Sequence, residues 1–373
     1  MNSKGNILLY IIFVVIIVGV VIEGFLFFKT SKAKRVEVTP TPSQEVNENQ
    51  AASPTIAPTD DTNLNILFLG MGGAGHDGGT LSDSITLASI NLKTKVINLI
   101  AIPRDLWVPV PVDWDFQSWQ KINAAYAIGL DQTKYPNKKP EFRGSLGGGN
   151  LSKFVVGQTT GLKVDYFLAV DFSNFISAID TLSGIEVDVL KTFDDYFYPV
   201  KGLENETCGF SLEEIDRFHQ QYSGFDLEKQ FTCRYEHLHF EKGLNKMDGV
   251  TTLKFIRSRH SNEYGGDFAR GERAQAVLVA VGKKLLSQNL INVNNSTFKK
   301  LASTVTSDIS LKSVPEILNT LGTLSEYQIN RINLTDQNIL TDAKSSGGAF
   351  ILIPKSGNGN FEEIRNFIKS SIK

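Results

Sequence analysis

Positive charge is not in excess here: 38 Lys and Arg stand against 40 Asp and Glu in 373 residues, for a net charge of −2. General nucleic-acid binding wants a basic surface, so that class is set aside. The chain has only two cysteines, Cys208 and Cys233, and five histidines. His219, His237 and His239 lie close together in sequence, but with two cysteines they form no recognised zinc spacing. The cysteines bracket a segment rich in aromatic and charged residues that interrupts better-patterned sequence. A disulfide closing that loop would contribute on the order of 3 kcal/mol and would need an oxidising compartment. Two buried free thiols are the other reading. No internal repeat is present.

A dinucleotide-binding fingerprint is also missing, despite a superficial match. Gly70, Gly72 and Gly75 in "GMGGAG" follow an apolar strand pattern. That fingerprint must open a helix and be followed by an acid about twenty residues on. "HDGGTLSDS" is not helical, and Asn91 and Lys93 stand where the acid is wanted. A nicotinamide or flavin cofactor is therefore excluded. A glycine-rich loop whose amides approach a phosphate remains open.

One long apolar run is present. Residues 7–28, after a short tail at 1–6, are broken only by Glu23. As a helix they would span roughly 33 Å, about one bilayer core. The run ends in "FLFFKTSK", without a small-residue cleavage site, which favours a retained transmembrane anchor over a signal peptide. Lys4 precedes it, whereas Lys29, Lys32, Lys34 and Arg35 follow. Charge alone would place the bulk of the chain in the cytoplasm. Residues 29–62 are rich in Pro, Thr, Ser, Gln and Asn and read as a disordered tether.

The remainder, 63–373, reads as one layered α/β domain: a central mixed sheet covered by helices on both faces. Strands are expected at 63–72, 84–94, 95–103, 164–172, 185–189 and 348–354. Helices are expected at 120–129, 150–161, 173–184, 248–259, 270–288 and 360–372, with two more between 296 and 324. Residues 102–112 read as a loop. Ser173 or Asn174 is expected to cap its helix, and Gly161 and Gly184 to stop theirs. An insertion is expected at about 199–240.

The densest chemistry is "FIRSRHSNEYGGDFARGERAQ" at 255–275, with Arg257, Arg259, Arg270 and Arg273 in seventeen residues and Asp267 and Gln275 among them. Guanidinium forks at this density suit a phosphate or pyrophosphate gripped from several sides. A solvated helix face is the plainer reading, but Gly265-Gly266 and Phe268 suggest a shaped turn.

Several spaced motifs resemble the LytR–CpsA–Psr family of cell-envelope phosphotransferases. They are "NILFLG", "LSDSITLASINLKTKVINLIAIPRDLWV", "KINAAYAIG", "VDYFLAVDF", "LSGIEVDV" and "KMDGVTTLKFIRSRHSNEYGGDFARGERAQ". The resemblance covers residues 64–288 well and extends loosely beyond. It implies transfer of a glycopolymer from a polyprenyl-pyrophosphate carrier to a peptidoglycan hydroxyl, with Mg²⁺, by a membrane-anchored chain. It also implies a catalytic domain on the outer face of the cytoplasmic membrane, which opposes the charge reading of topology and favours the disulfide.

On that reading Arg104, Arg257, Arg259 and Arg270 bind phosphate. Arg273 joins the catalytic set or pairs with an acid. Asp83 ligates magnesium. Asp105 orients Arg104 or assists the base, and Asp267 orients the arginines. Phe172, Val277 and Val281 line a greasy pocket for the carrier's tail, where each buried CH₂ contributes about 0.8 kcal/mol. The chain departs from the family twice: Leu81 replaces an arginine before Ser82-Asp83, and "GMGGAG" lacks the usual aspartate. Asp77 or His76 is the expected substitute at the metal. Lys121, Asn123 and Tyr126 read as polar site residues or as a helix cap with a core tyrosine. The alternatives are a pyrophosphatase acting on the same carrier, or a non-catalytic envelope protein that binds glycopolymer.

Overall fold

The computed structural model describes residues 62–76, 78–287, 295–322 and 326–373. The expected span at 7–28, the tether up to residue 61, and Asp77 lie outside these residues. No helix among the described residues is long and apolar enough to cross a membrane.

The chain opens with β1 (Asn63–Met71), β2 (Ser82–Asn91) and β3 (Val96–Ala101), a meander with the tight turn at Lys93-Thr94. A side hairpin follows, β4 (Trp107–Pro111) and β5 (Gln117–Lys121), then α1 (Ala124–Leu130) and α2 (Gly147–Thr160). β6 (Tyr166–Asp171) returns to the sheet and leads into α3 (Phe172–Thr181). β7 (Ile185–Val189) comes next. The insertion comprises β8 (Phe193–Pro199), α4 (Leu212–Gln221), the single turn α5 (Phe225–Glu228) and β9 (Tyr235–Phe240). β10 (Gly243–Met247) pairs with β7 and precedes α6 (Gly249–Arg257) and α7 (Gly266–Ser287). The C-terminal part contains α8 (Ser296–Ala302), β11 (Thr306–Ser307), α9 (Val314–Leu321), β12 (Gln328–Asn333), the β13 (Leu340–Lys344) and β14 (Phe350–Pro354) hairpin, and α10 (Phe361–Ser371).

Six strands form one mixed sheet in the order β11-β6-β1-β2-β3-β12. Alternation along β1 divides its side chains between two cores. Leu67 and Leu69 pack with Leu151 and Val155 of α2 and Ile364 and Ile368 of α10. Ile66 and Phe68 pack with Val279 of α7, Phe298 of α8 and Ile317 and Leu321 of α9. Both faces are thus covered, as the apolar runs of β1–β3 require. Each such side chain contributes about 1.5–3 kcal/mol when fully buried. A third core joins α3, α6 and α7 to the β7–β10 and β8–β9 pairs. Glycines at the α1–α2 crossing permit backbone contact: a Cβ on Gly129 would stand 2.3 Å from the Gly147 carbonyl oxygen.

Several local expectations are corrected. Residues 107–111 are a strand, not a loop: Val108 and Val110 are buried with Pro109 half-buried between them, and the prolines are tolerated because β4 belongs to a two-stranded sheet, where each strand is an edge. The strand at Gln117–Lys121 therefore delays the α1 helix to Ala124. The α3 cap is Asp171, whose carboxylate accepts from the Asn174 amide at 2.8 Å. α7 begins at Gly266, which brings Asp267 into its positive first turn. The chain after α8 returns to the sheet as β11 and does not continue as helix. β8, β9, β10, β12 and β13 were not anticipated.

The ends of β1, β3 and β6 and the start of β2 all reach the same edge of the sheet. Asp83, Asp171 and Arg104 are displayed there, and α7 crosses beneath with Arg270.

Candidate active site

After β3, Ile102-Pro103 turns the chain and presents Arg104. Its Nη1 donates to Asp83 Oδ1 at 2.7 Å. Its Nη2 lies 3.6 Å from Asp267 Oδ2, and its Nε lies 3.5 Å from Asp105 Oδ2. Burial alone would lower the Arg104 pKa, but Asp267, Asp83 and Asp105 together hold it above the ordinary arginine value. Arg270, one turn into α7, donates to the Asp83 carbonyl at 2.6 Å and stands 3.4 Å from Asp267 Oδ1. Its pKa is lowered, first by burial. Arg259 Nη2 completes the group, 2.9 Å from Asp267 Oδ1. One carboxylate thus gathers three guanidinium groups. A guanidinium carries five donors, so these contacts leave N–H groups over for a ligand.

Arg257 ends α6 on the same cavity wall. Its guanidinium carbon lies 4.6 Å from the Phe172 ring centre and 5.8 Å from that of Tyr198, and Nη1 is 3.3 Å from the Tyr198 hydroxyl. Burial raises the Tyr198 pKa, so the phenol is neutral beside the cation.

The segment carrying Arg257 and Arg259 is fixed by Asp195 of β8, which is 0% exposed. Its Oδ2 accepts from the Ser258 hydroxyl (2.7 Å) and from the amides of Arg259 (3.0 Å) and His260 (3.1 Å). Its Oδ1 accepts from the Phe197 amide at 3.0 Å. Burial pushes this carboxyl upward, but the hydrogen bonds outweigh it and hold the pKa below the usual carboxylate value. The insertion is itself closed by the Cys208–Cys233 disulfide. It meets the arginine segment a second time where Phe225 stacks on His260 at 4.0 Å.

One residue, Arg273, does not stand where the sequence placed it, and for Asp105 the structure separates two expected roles. Arg273 is 1% exposed and turned away from the cavity, between the rings of Phe193, Phe255 and Tyr264. It donates to the carbonyls of Tyr264 (2.5 Å) and Ser258, bracing the loop between α6 and α7. Burial lowers its pKa to about 10. Arg273 is thus a structural brace, held by backbone carbonyls and away from the cavity, where the catalytic set or an acid partner was expected. Asp105 is 6% exposed, does not line the cavity, and meets Lys121 Nζ at 2.5 Å. Of its two expected roles, its position suits orienting Arg104.

Arg104, Arg257, Arg259 and Arg270 all line one cavity of about 480 Å³, within the usual size of a ligand site. Asp83, Asp171, Asp195, His76 and His260 share its polar end. Its deeper wall is apolar and includes Phe172, Val277 and Val281 with Phe175, Leu285 and Phe298. On α7, positions 277, 281 and 285 repeat every four residues and so face the cavity as one stripe. Lys121 and Asn123 stay outside it, and Tyr126 is a core residue.

Among the described residues, no group of three His, Cys, Asp or Glu could hold a metal ion. Asp83 offers one carboxylate oxygen beyond its bond to Arg104. Asp171 lines the same cavity but accepts two hydrogen bonds from Asn174. This donor set fits a Mg²⁺ ion that draws most of its ligands from phosphate and water, and would not make a protein-only cage.

Sequence reasoning missed Asp195, Asp171, Tyr198 and His260. Asp171 was discernible as an acid ending a strand just before a helix. Asp195 carries no such signal, because the three partners it fixes at Ser258, Arg259 and His260 lie more than sixty residues away.

The sequence signature of the LytR_cpsA_psr family matches residues 25–351. The polyisoprenyl-teichoic acid–peptidoglycan teichoic acid transferase TagU of Oceanobacillus iheyensis is 25% identical over 290 residues, covering 78% of this chain and 71% of TagU. TagV of Bacillus subtilis, which bears the same activity name, is 23% identical over 277 residues, covering 74% of this chain and 57% of TagV. Among solved structures, the protein gbs0355 of Streptococcus agalactiae superposes with a TM-score of 0.56 at 22% identity, covering 83% of this chain and 88% of that one. With the family signature spanning most of its length, the chain belongs to the LytR_cpsA_psr family.

Proposed function

We propose that the chain is a Mg²⁺-dependent phosphotransferase that moves a glycopolymer from a polyprenyl-pyrophosphate carrier to a peptidoglycan hydroxyl. The observation that carries this reading is the presence of four arginines in the lining of one largely apolar cavity. A pyrophosphate attached to a hydrocarbon tail has that same division of character. The relatives named as polyisoprenyl-teichoic acid–peptidoglycan teichoic acid transferases are named for a polymer on a polyisoprenyl carrier, which supports this reading.

Transfer between phosphates needs neutralised charge, fixed geometry and little water. Arg104, Arg259 and Arg270, held at set angles by Asp267, would take the pyrophosphate oxygens. Arg257 would add a fourth cation from the end of α6, its guanidinium resting on the Phe172 ring. Phe172, Val277 and Val281 would take the first prenyl units and exclude water from the reacting bond. Asp83 is the residue for Mg²⁺, which when bound would add charge neutralisation at the phosphates; the second ligand expected at Asp77 lies outside the described residues. A single-pass anchor at 7–28 would keep the domain on the outer face of the cytoplasmic membrane. The disulfide supports that side, since it persists in an oxidising compartment.

The test is to incubate the full chain in detergent with a synthetic polyprenyl-pyrophosphate oligosaccharide and Mg²⁺, with and without peptidoglycan. Acceptor-dependent attachment through a phosphodiester is expected by mass spectrometry. Release of free phosphoglycan at the same rate without acceptor would replace transferase with pyrophosphatase. Binding with no turnover would leave a glycopolymer-binding protein.

A further inference from the structure

The transfer needs a group that removes the acceptor's hydroxyl proton, and the carboxylates in the cavity are poorly suited to it. Three of them line the wall. Asp83 is bonded to the Arg104 guanidinium at 2.7 Å. Asp171 is occupied by the amide and side chain of Asn174 at 2.8 and 2.9 Å. Asp195 accepts four hydrogen bonds and is wholly buried. A carboxylate so well supplied with donors is a weak base. Asp267 is shared among three arginines, and Asp105 faces Lys121. The Tyr198 phenol stays protonated. The imidazoles of His76 and His260 remain.

The two imidazoles differ in support. His76 sits in the glycine-rich turn, edge-on to Phe172 at 5.2 Å. His260 follows Arg259 directly, and its amide is pinned to Asp195. Its ring is stacked on Phe225 at 4.0 Å with 13° between planes. It is exposed and also lines the cavity, so a wall polymer too large to enter the cavity can still reach it.

We infer that His260 is the general base of the transfer, placed by the disulfide-closed insertion so that its imidazole meets the acceptor hydroxyl beside the arginine-bound pyrophosphate. This rests on the transferase reading above. In the step, a ring nitrogen takes the hydroxyl proton while the acceptor oxygen forms a bond to the phosphorus that carries the glycan. The bond from that phosphorus to the bridging oxygen breaks, and its electron pair leaves with polyprenyl phosphate. The imidazolium then gives its proton to water.

The charged neighbours agree with this role. Partial burial under Phe225 lowers the His260 pKa, Asp195 opposes that shift and Arg259 adds to it, leaving it below the ordinary 6.5. On α5, the acids flanking Phe225 are already taken: Asp226 pairs with Lys229, and Glu228 accepts from Tyr235. The imidazole is therefore neutral at neutral pH, as a base must be.

The test measures turnover against pH for the full chain in detergent micelles, with Mg²⁺, a farnesyl-pyrophosphate-linked disaccharide and peptidoglycan. His260→Ala removes the ring. His260→Phe keeps the stack on Phe225 but has no nitrogen. Both should lose turnover by on the order of 10²–10⁴-fold with donor affinity unchanged, and the acid limb of the native profile, lying below the ordinary imidazole value, should vanish. Native turnover or a surviving acid limb in His260→Phe overturns the assignment, as does a loss confined to donor binding. A native chain that transfers nothing to peptidoglycan overturns the transferase reading, and this inference with it.

Discussion

Asp267 and Asp195 organise neighbouring parts of the same site by opposite means. Asp267 sits among cations: Arg104, Arg259 and Arg270 all point at it. Asp195 sits among neutral donors: three backbone amides and one hydroxyl. The first arrangement concentrates positive charge and leaves much of it unspent, which suits a ligand of high negative charge. The second fixes backbone, and so fixes the directions in which Arg257, Arg259 and His260 leave the chain. On the proposed function, binding power would reside in the Asp267 cluster, and its precision would come from Asp195.

The comparison is broken most severely by removing a cation. Arg270→Ala should lower turnover by about 10²–10³-fold, the usual cost of one preorganised donor at a developing charge. Unfolding temperature should change little, because Asp83, whose carbonyl loses this donor, is only half-buried. A variant that keeps native turnover would remove the arginine cluster from the chemistry.

Asp195→Ala should show the reverse emphasis. Four donors lose their acceptor in a buried place, at about 1 kcal/mol or more each, so unfolding free energy should fall by about 4 kcal/mol. Denaturant titration measures it. A loss below about 1 kcal/mol would mean that water replaces the carboxylate and that the backbone was not held by it. Reduction of the disulfide, or Cys208→Ser, acts on the same insertion more weakly. The loop it closes has a sequence separation of 25, and about 3 kcal/mol of stability should be lost. Because Phe225 lies within the stapled loop, turnover should fall with it, while donor binding at the arginines persists.

The two clusters were unequally legible. Arg257, Arg259, Asp267 and Arg270 are near one another in sequence, and a dense run of forks implies an anion whatever the fold. Arg273 looks the same on paper, yet three positions along α7 from Arg270 it points into Phe193, Phe255 and Tyr264. Only packing decides which arginine of a helix meets a ligand. Asp195 was illegible because its role depends on a contact between β8 and the end of α6. The central sheet was legible where strands are apolar on both faces, as in β1–β3. Strands at the margin were not: the prolines of β4 read as a loop, and the "QINRIN" of β12 has too little apolar alternation. The apolar stripe of α7 was visible, but its division between core and cavity was not.

Salt and pH separate the two carboxylates most finely. Screening should weaken donor binding through the Asp267 cluster as ionic strength rises, since its charges are partly exposed. It should leave the Asp195 bonds nearly unaffected. Acid should do the opposite. The Asp195 pKa is held below the ordinary carboxylate value, 3.8, so its contribution to stability is complete above that value. The contribution is lost as pH falls through the depressed folded value, because the unfolded chain then binds the proton first. Asp195→Asn keeps the shape but cannot ionise. Its unfolding free energy should fall less steeply than that of the native chain at pH values below about 3.8. Parallel curves for the two proteins through that window would show that Asp195 is no better stabilised in the fold than in the open chain, and the division of labour between the two carboxylates would fail.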